Sequence, residues 1–378
     1  MRGKASEARI DFLDKLRGLA AALVFVQHAA DHIILESSGA YLRPLFVEAF
    51  DAGRFGVALF FIISGYVVPF SIKGPLAIRS FVIGRVFRLY PAYWLSIFAA
   101  LAVFYIFKGF VLPWKQVVVN MTMLEALFGV PFVLGPYWTL IIEIAFYVFA
   151  ALLYKVGRLH SQAVAFLLVA AFAGGSILLT MGSILTGHYL RANLALNLSL
   201  MFLGLVLRLE DEKGAAGKKR YELGGLTLVF GAIIFSALLG GDRAGPLFTT
   251  TSFTSGYVLA VLCFLASRAH VFRLPQWLAW LGTISYSVYL FHEVVLSAAD
   301  PVLSRTSSGA SHLLIVVVCA VLAVAVSTLV YHLVEKPNIR RGRAIVSWIR
   351  SRPDAGPSRG ASPSSKDGPV NVTGPPNN

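Results

Sequence analysis

The sequence predicts an all-α membrane protein, a polytopic bundle of about ten transmembrane helices with both termini in the cytoplasm. Its 378 residues are 57% hydrophobic and only 14% charged, and the mean hydropathy is +0.72. Apolar runs long enough to cross a bilayer recur along the chain. A soluble domain of this length keeps more charge on its surface, so the composition excludes a soluble protein.

Each predicted span is one apolar run bounded by polar residues. The ten runs cover residues 16–35, 55–71, 91–112, 137–154, 162–182, 194–208, 223–241, 252–267, 276–298 and 311–334. With the N-terminus inside, 26 of the 33 Lys and Arg residues fall on the cytoplasmic side, as the positive-inside rule requires. The net charge of +14 therefore reflects topology, and no nucleic-acid partner is expected.

The predicted organisation is one transmembrane domain, residues 1–345, followed by a cytoplasmic tail, residues 346–378. The tail is rich in Pro, Ser and Gly, so we expect it to be disordered. The polar N-terminus does not resemble a cleavable signal peptide, so none is expected. No internal repeat suggests a transporter built from two related halves. Cys263 and Cys319 lie in apolar runs and indicate neither a disulfide nor a zinc site, so no metal is expected.

The segment 72–90 mixes apolar residues with arginines. It predicts a cytoplasmic amphipathic helix that leads into the third span, with Pro91 in the first turn of that span. Arg85 and Arg88 share a helix face through their i, i+3 spacing. Two interpretations remain open: the arginines anchor the helix to lipid headgroups, or they form a phosphate-binding patch.

The first span carries ionisable residues along one face. Arg17 and His28 are eleven residues apart, so they face the same way and lie about 16 Å apart along the axis. With Arg17 at the cytoplasmic boundary, His28 lies near the middle of the bilayer, and Asp31 lies almost one turn further. Ionisable groups at this depth are costly and typical of functional sites, although a structural hydrogen bond to a neighbouring helix is the alternative.

Two later spans add polar residues at comparable depth. Glu143 lies within the fourth span, where a carboxylate needs a partner or a wet cavity, so it is either catalytic or part of a structural pair. Ser285, Tyr289 and His292 share one face of the ninth span, and His292 is expected in its outer half.

The motifs that contain these residues, taken in order, resemble those of integral-membrane acyltransferase family 3. That family includes bacterial O-antigen, exopolysaccharide and Nod-factor O-acetyltransferases. The matching stretches are "LDKLRGLAAALVFVQH", "FGVALFFIISGYVV", "GRVFRLYPAYW", "WTLIIEIAFY", "ISYSVYLFH" and "VEKP".

The resemblance implies a membrane O-acyltransferase that takes an acyl group, most often acetyl, from cytoplasmic acyl-CoA. The implied acceptor is a hydroxyl of a surface or exported carbohydrate, and the implied location is the bacterial inner membrane. Acetyl-CoA is then a donor substrate, and no cofactor is permanently bound. In such proteins the residues that match Arg17, His28, Arg85 and Arg88 are required, so the three arginines are expected to bind acyl-CoA.

His28 is expected to act as general base on the acceptor hydroxyl, with a covalent acyl-histidine as the alternative. Glu143 or Asp31 would orient the imidazole, and Glu143 is preferred because Asp31 lies closer to the outer surface. Ser285 or Tyr289 would stabilise the oxyanion, and His292 is expected with them on the acceptor and oxyanion side. A transporter with an intramembrane His/Glu relay is the rival function, and a non-catalytic scaffold is a third. The acceptor, the acyl chain and the oligomeric state are not fixed by the sequence.

Overall fold

The structure, a computed structural model, describes residues 2–188, 190–213, 219–240 and 249–351. Within these residues all regular secondary structure is helical, which confirms the predicted all-α membrane bundle. Thirteen α-helices run in order. They are α1 Arg2–Glu36, α2 Ala52–Val67, α3 Ala77–Lys108, α4 Trp114–Asn120, α5 Trp138–Lys155, α6 Gln162–Thr186, α7 Ala192–Lys213, α8 Arg220–Gly240, α9 Thr250–Arg268, α10 Trp277–Thr283, α11 Ser285–Leu303, α12 Gly309–Val330 and α13 Lys336–Arg350.

Nine helical segments of the described residues are long and apolar enough to cross a membrane, where the sequence predicts about ten. The difference lies in the predicted span 276–298, which the structure divides into the short α10 and the 19-residue α11. α11 is not among the nine because buried polar residues lower its hydropathy, among them Ser287, His292 and Asp300. The side of the membrane on which each terminus lies stays a prediction.

The predicted amphipathic helix and the third span form one element, and the prediction that Pro91 lies in the first turn of that span is wrong. α3 is one continuous helix of 32 residues, and Pro91 lies in its interior, not in a first turn. Proline removes one backbone hydrogen bond from a helix, but membrane helices tolerate it because neighbouring groups compensate. Arg85 and Arg88 therefore lie on the same rigid element as the apolar residues that follow them.

The last helix extends past the predicted domain boundary at residue 345. α13 continues to Arg350, and a π-helical turn, Tyr331–Glu335, joins it to α12. Residues 352–378, most of the predicted tail, lie outside the described residues.

Paired glycines bring the central helices into close contact. A Cβ added at Gly65 of α2 would lie 1.7 Å from the Met201 carbonyl oxygen of α7. One added at Gly204 of α7 would lie 2.2 Å from the Ile62 oxygen of α2. Gly18 of α1 and Gly282 of α10 form a second such pair across the α1–α10 contact. Small residues let helix backbones approach in this way. α1 also packs against α2 and α11, and the polar residues of the bundle lie around these helices.

Candidate active site

A narrow cavity of about 120 Å³ lies between α1, α2, α3, α5 and α11. Three arginines line it, Arg17 from α1 and both Arg85 and Arg88 from α3. Glu143 is the acidic residue in its wall. We call this space the arginine cavity.

The three arginines are close enough to act on one another electrostatically. Arg17 Nη1 lies 2.9 Å from Asp14 Oδ1, and Arg85 Nη2 donates to Ser71 Oγ over 3.1 Å. Within the described residues, neither Arg85 nor Arg88 has a carboxylate within ion-pair distance. Like charges repel, and a bound anion relieves the repulsion among the three guanidinium groups. The cavity is therefore suited to an anionic ligand.

A second, larger cavity of about 410 Å³ contains His28. Its polar lining includes Asp31, Asp51 and Arg54, and its aromatic lining includes Trp138 and Tyr257. We call this space the histidine cavity. A few polar groups set among apolar and aromatic walls are typical of small-molecule sites.

Val57 and Tyr289 line both cavities, so the two spaces adjoin at these side chains. The Tyr289 hydroxyl donates to the Pro136 carbonyl oxygen over 2.8 Å and lies 2.7 Å from Thr139 Oγ1. These bonds hold Tyr289 at the junction between Arg17 on one side and His28 on the other.

The carboxylate beside His28 belongs to Glu293 of α11. His28 Nδ1 lies 3.6 Å from Glu293 Oε2, an ion-pair distance longer than a hydrogen bond. That oxygen is buried and has no hydrogen-bond partner within the described part of the chain. Because a carboxylate oxygen only accepts, it favours a proton on His28 Nδ1 and leaves Nε2 as the basic nitrogen.

A chain of polar contacts continues outward from Glu293. Its Oε1 accepts from His32 Nε2 over 3.2 Å, and His32 Nδ1 lies 2.5 Å from Asp300 Oδ1. Asp300 Oδ2 in turn lies 2.7 Å from Lys108 Nζ. Both ring nitrogens of His32 face carboxylate oxygens, so this geometry suits the doubly protonated ring. The network places Glu293 between two histidines, His28 and His32.

Within the described residues, neither of the two carboxylates expected to orient His28 lies at ion-pair distance from it. Glu143 faces the arginine cavity, where it accepts a hydrogen bond from the Tyr147 hydroxyl. Asp31 lines the histidine cavity and accepts from Gln27 Nε2 over 2.9 Å. Glu293 takes the expected position because α11, not α5, packs against α1 at this level. The sequence signal for it was the "FHE" triplet, in which the acidic residue directly follows His292.

The three residues expected on the oxyanion side occupy different places. Ser285 lines the arginine cavity, and Tyr289 lies at the junction of both cavities. His292 is buried with its ring centroid 5.1 Å from that of His28. Its Nδ1 donates to the Val288 carbonyl oxygen over 3.1 Å, while no described residue hydrogen-bonds to its Nε2.

One group of side chains has the geometry to hold a metal ion. Ligand atoms of His28, His292 and Glu293 all lie within 4.8 Å of one another. Two imidazoles and a carboxylate are ligands that zinc accepts. The expectation that no metal takes part stays a prediction.

Comparison with known proteins identifies the family. Residues 10–332 match a family that is described as an acyltransferase domain. The chain belongs to acyltransferase family 3, which confirms the resemblance indicated by its motifs.

Two curated relatives are similar over most of this chain. The "Putative peptidoglycan O-acetyltransferase YrhL" of Bacillus subtilis (strain 168) is 28% identical over 336 residues, which cover 77% of this chain and 51% of YrhL. This chain thus spans about half the length of that relative. The "Exopolysaccharide production protein ExoZ" of Rhizobium meliloti (strain 1021) is 27% identical over 317 residues, or 78% of this chain and 92% of ExoZ. No solved structure matches the chain significantly.

Proposed function

We propose that this protein transfers an acetyl group from cytoplasmic acetyl-CoA to a hydroxyl of an exported carbohydrate, in the bacterial inner membrane. The observation that carries the proposal is the pair of adjoining cavities. One is lined by three arginines and the other by a histidine beside a buried carboxylate. Each cavity suits one of two substrates that approach from opposite sides.

The arginine cavity suits the donor. Coenzyme A carries phosphates at one end and a thioester at the end of a long, uncharged arm. Guanidinium groups bind phosphate well, and the narrow space that leads from Arg17 to Tyr289 suits an extended arm. In this pose the thioester carbonyl reaches the junction at Val57 and Tyr289. Glu143 then limits the positive charge of the cavity and is not the partner of His28.

The histidine cavity suits the acceptor. Sugar hydroxyls both donate and accept hydrogen bonds, and the cavity offers carboxylate, amide and guanidinium groups from Gln27, Asp31, Asp51 and Arg54. The names of the two relatives refer to peptidoglycan O-acetylation and to exopolysaccharide production. An exported polysaccharide or its oligosaccharide precursor is therefore the acceptor class that we propose.

The proposed reaction is direct transfer. His28 Nε2 removes the proton of the acceptor hydroxyl as its oxygen attacks the thioester carbonyl carbon. The carbon–oxygen bond forms, the carbon–sulfur bond breaks, and the thiolate of coenzyme A takes the proton from the imidazolium. Glu293 stabilises that imidazolium, as the carboxylate does in a catalytic triad. His292, with an unpartnered Nε2 beside His28, helps to orient the acceptor hydroxyl.

The test is transfer of labelled acetyl from acetyl-CoA to extracted glycan by the purified protein in lipid nanodiscs. We expect His28→Ala to lower the rate by about 10²- to 10⁴-fold, the usual contribution of a general base. His188→Ala is the matched control, because His188 is exposed and lines neither cavity. Near-normal transfer by a folded His28→Ala protein would overturn the mechanism.

Two further outcomes separate the alternatives. Label retained on the protein after rapid quenching, and absent from His28→Ala, would indicate a covalent acyl-histidine in place of direct transfer. Proton-coupled solute uptake by proteoliposomes, with no acetyl transfer, would favour the transporter.

A further inference from the structure

We propose that the groove between α3 and α13 binds the 3′-phosphorylated adenosine diphosphate half of acyl-CoA, and that Arg343 and Arg350 of α13 contact its phosphates. This inference rests on the proposed function, because it assigns the other half of the same donor. It concerns residues outside the motifs on which the family resemblance depends.

The groove has a volume of about 550 Å³ and is strongly cationic. Arg85 and Arg88 line it from α3, and Arg343 and Arg350 line it from α13. The remaining polar side chains in its lining are the neutral hydroxyls of Ser71, Ser80 and Ser347. No acidic side chain lines it among the residues that the structure describes. Four guanidinium groups with hydroxyl donors between them form a site for several phosphates.

The contacts of these arginines leave their charge uncompensated. Arg350 Nε donates to Ser80 Oγ over 3.2 Å, and its Nη2 donates to the Lys73 carbonyl oxygen over 3.3 Å. Both acceptors are neutral. Arg343 has no carboxylate within ion-pair distance in the described part of the chain. Because no described carboxylate lies within ion-pair distance of these four guanidinium groups, a bound polyanion is attracted by all of them.

The two helices are packed so that the groove stays open. A Cβ added at Gly342 of α13 would lie 2.8 Å from Phe87 Cβ of α3, so the helices approach closely there. Gly84, which lines the groove, has no atom within 4 Å of such a Cβ. The missing side chain at Gly84 leaves room for a ligand between Arg85 and Arg343.

Continuity with the arginine cavity identifies the ligand. Arg85 and Arg88 line both the groove and the arginine cavity. A ligand that fills both spaces needs several negative charges at one end and a slender, uncharged arm at the other. Acyl-CoA has this shape, whereas a lipid phosphate carries the same anionic chemistry without an arm that leads to Tyr289.

The experiment compares donors that differ only in the nucleotide. The purified protein in nanodiscs of zwitterionic lipid is given acetyl-CoA, acetyl-dephospho-CoA or S-acetylpantetheine. We expect Arg343→Ala to raise the KM for acetyl-CoA about tenfold, the usual effect of losing a hydrogen bond to a charged group. We expect little change in kcat and an unchanged KM for S-acetylpantetheine, which lacks the nucleotide. Arg343→Lys should recover part of the affinity.

Arg340→Ala is the matched control, since Arg340 lies on the same exposed helix but lines none of the cavities described here. An equal loss with S-acetylpantetheine, or no loss with acetyl-CoA, would overturn the proposal. A change in KM that appears only in anionic lipid would assign the arginines to lipid headgroups.

Direct binding of labelled coenzyme A and dephospho-coenzyme A is measured in parallel, so the proposal does not depend on catalysis. If the protein binds coenzyme A through Arg343 but transfers no acetyl group, the groove is supported as a nucleotide-binding site and the proposed function is contradicted. If wild-type protein does not bind coenzyme A, the groove proposal fails as well.

Discussion

Under the proposed function, Glu293 is the residue on which the chemistry of His28 depends. One of its oxygens faces His28 Nδ1, and the other contacts His32. His32 also contacts Asp300, which in turn pairs with Lys108. This arrangement fixes one oxygen of Glu293 and directs the other at the imidazole. A second histidine, His292, packs against the same ring.

Replacing Glu293 by Gln retains its shape and removes its charge. We expect Glu293→Gln to lower kcat on the order of 10²- to 10⁴-fold, because the imidazolium loses its counter-charge and the tautomer is no longer fixed. The KM for acetyl-CoA should change little. Steady-state kinetics with acetyl-CoA and glycan measures both quantities. Glu143→Gln is the comparison and should lower kcat less. A larger loss of kcat in Glu143→Gln than in Glu293→Gln would contradict the assignment.

Glu125 is a buried carboxyl that the proposed mechanism does not use. It lies between α4 and α5, outside the membrane-spanning segments, with 1% of its surface exposed. Burial raises the pKa of Glu125 from the ordinary 4.5 to about 7. Neither of its carboxylate oxygens has a hydrogen-bond partner among the described residues. The neutral acid is therefore the form that suits the folded protein.

The raised pKa of Glu125 predicts that the free energy of unfolding falls as the pH rises from about 4.5 to 7. In that window the unfolded chain has already lost the proton that the folded chain retains, so deprotonation favours unfolding by up to about 3 kcal/mol in total. The midpoint of thermal unfolding in detergent, measured from pH 5 to pH 8, should decline in the wild type. It should decline less in Glu125→Gln. Parallel curves for the two proteins would contradict the assignment.

At the scale of the helices, paired glycines determine how closely α2 and α7 approach. We expect Gly65→Ala to destabilise the protein by about 1 to 3 kcal/mol or to prevent folding, because the new methyl group would overlap the Met201 backbone. Gly231→Ala in α8 is the control, since nothing lies within 4 Å of its added methyl group. That control should stabilise by about 0.5 to 1 kcal/mol through helix propensity. Thermal unfolding of both variants measures the difference.

The helices that were predicted correctly are those with long apolar runs, because run length is a local property of the chain. The errors arise where local and tertiary preferences compete. Pro91 suggests the start of a helix, yet α3 passes through it. The break between α10 and α11 follows Thr283, where a continuous apolar run gives no signal.

The carboxylate partner of His28 was beyond prediction for a similar reason. Asp31 and Glu143 were assessed by their depth along their own helices, and both depths were plausible. Which carboxylate meets the imidazole depends on which helix packs beside α1, and residue spacing within one helix carries no such information. The positions of Arg85 and Arg88 relative to each other were easier to predict, because they lie one turn apart on a single helix.

For the whole molecule, the number of membrane crossings determines on which side of the membrane the C-terminus lies. With α11 as a tenth crossing, both termini lie in the cytoplasm, as the distribution of Lys and Arg predicts. With nine crossings the termini lie on opposite sides. A fluorescent protein fused after residue 351 should therefore be bright, and alkaline phosphatase fused there should be inactive. The reverse result would mean that α11 does not cross the membrane.

The junction of the two cavities at Val57 and Tyr289 affects how the cell preserves its membrane potential. Under the proposed function, the sugar stays on one side of this junction and coenzyme A stays on the other. Only a two-carbon group passes between them. Neither bulky substrate needs a continuous aqueous path, so ions gain no route through the bundle. A cell could then decorate its exported glycans from a cytoplasmic donor at full rate without dissipating its membrane potential.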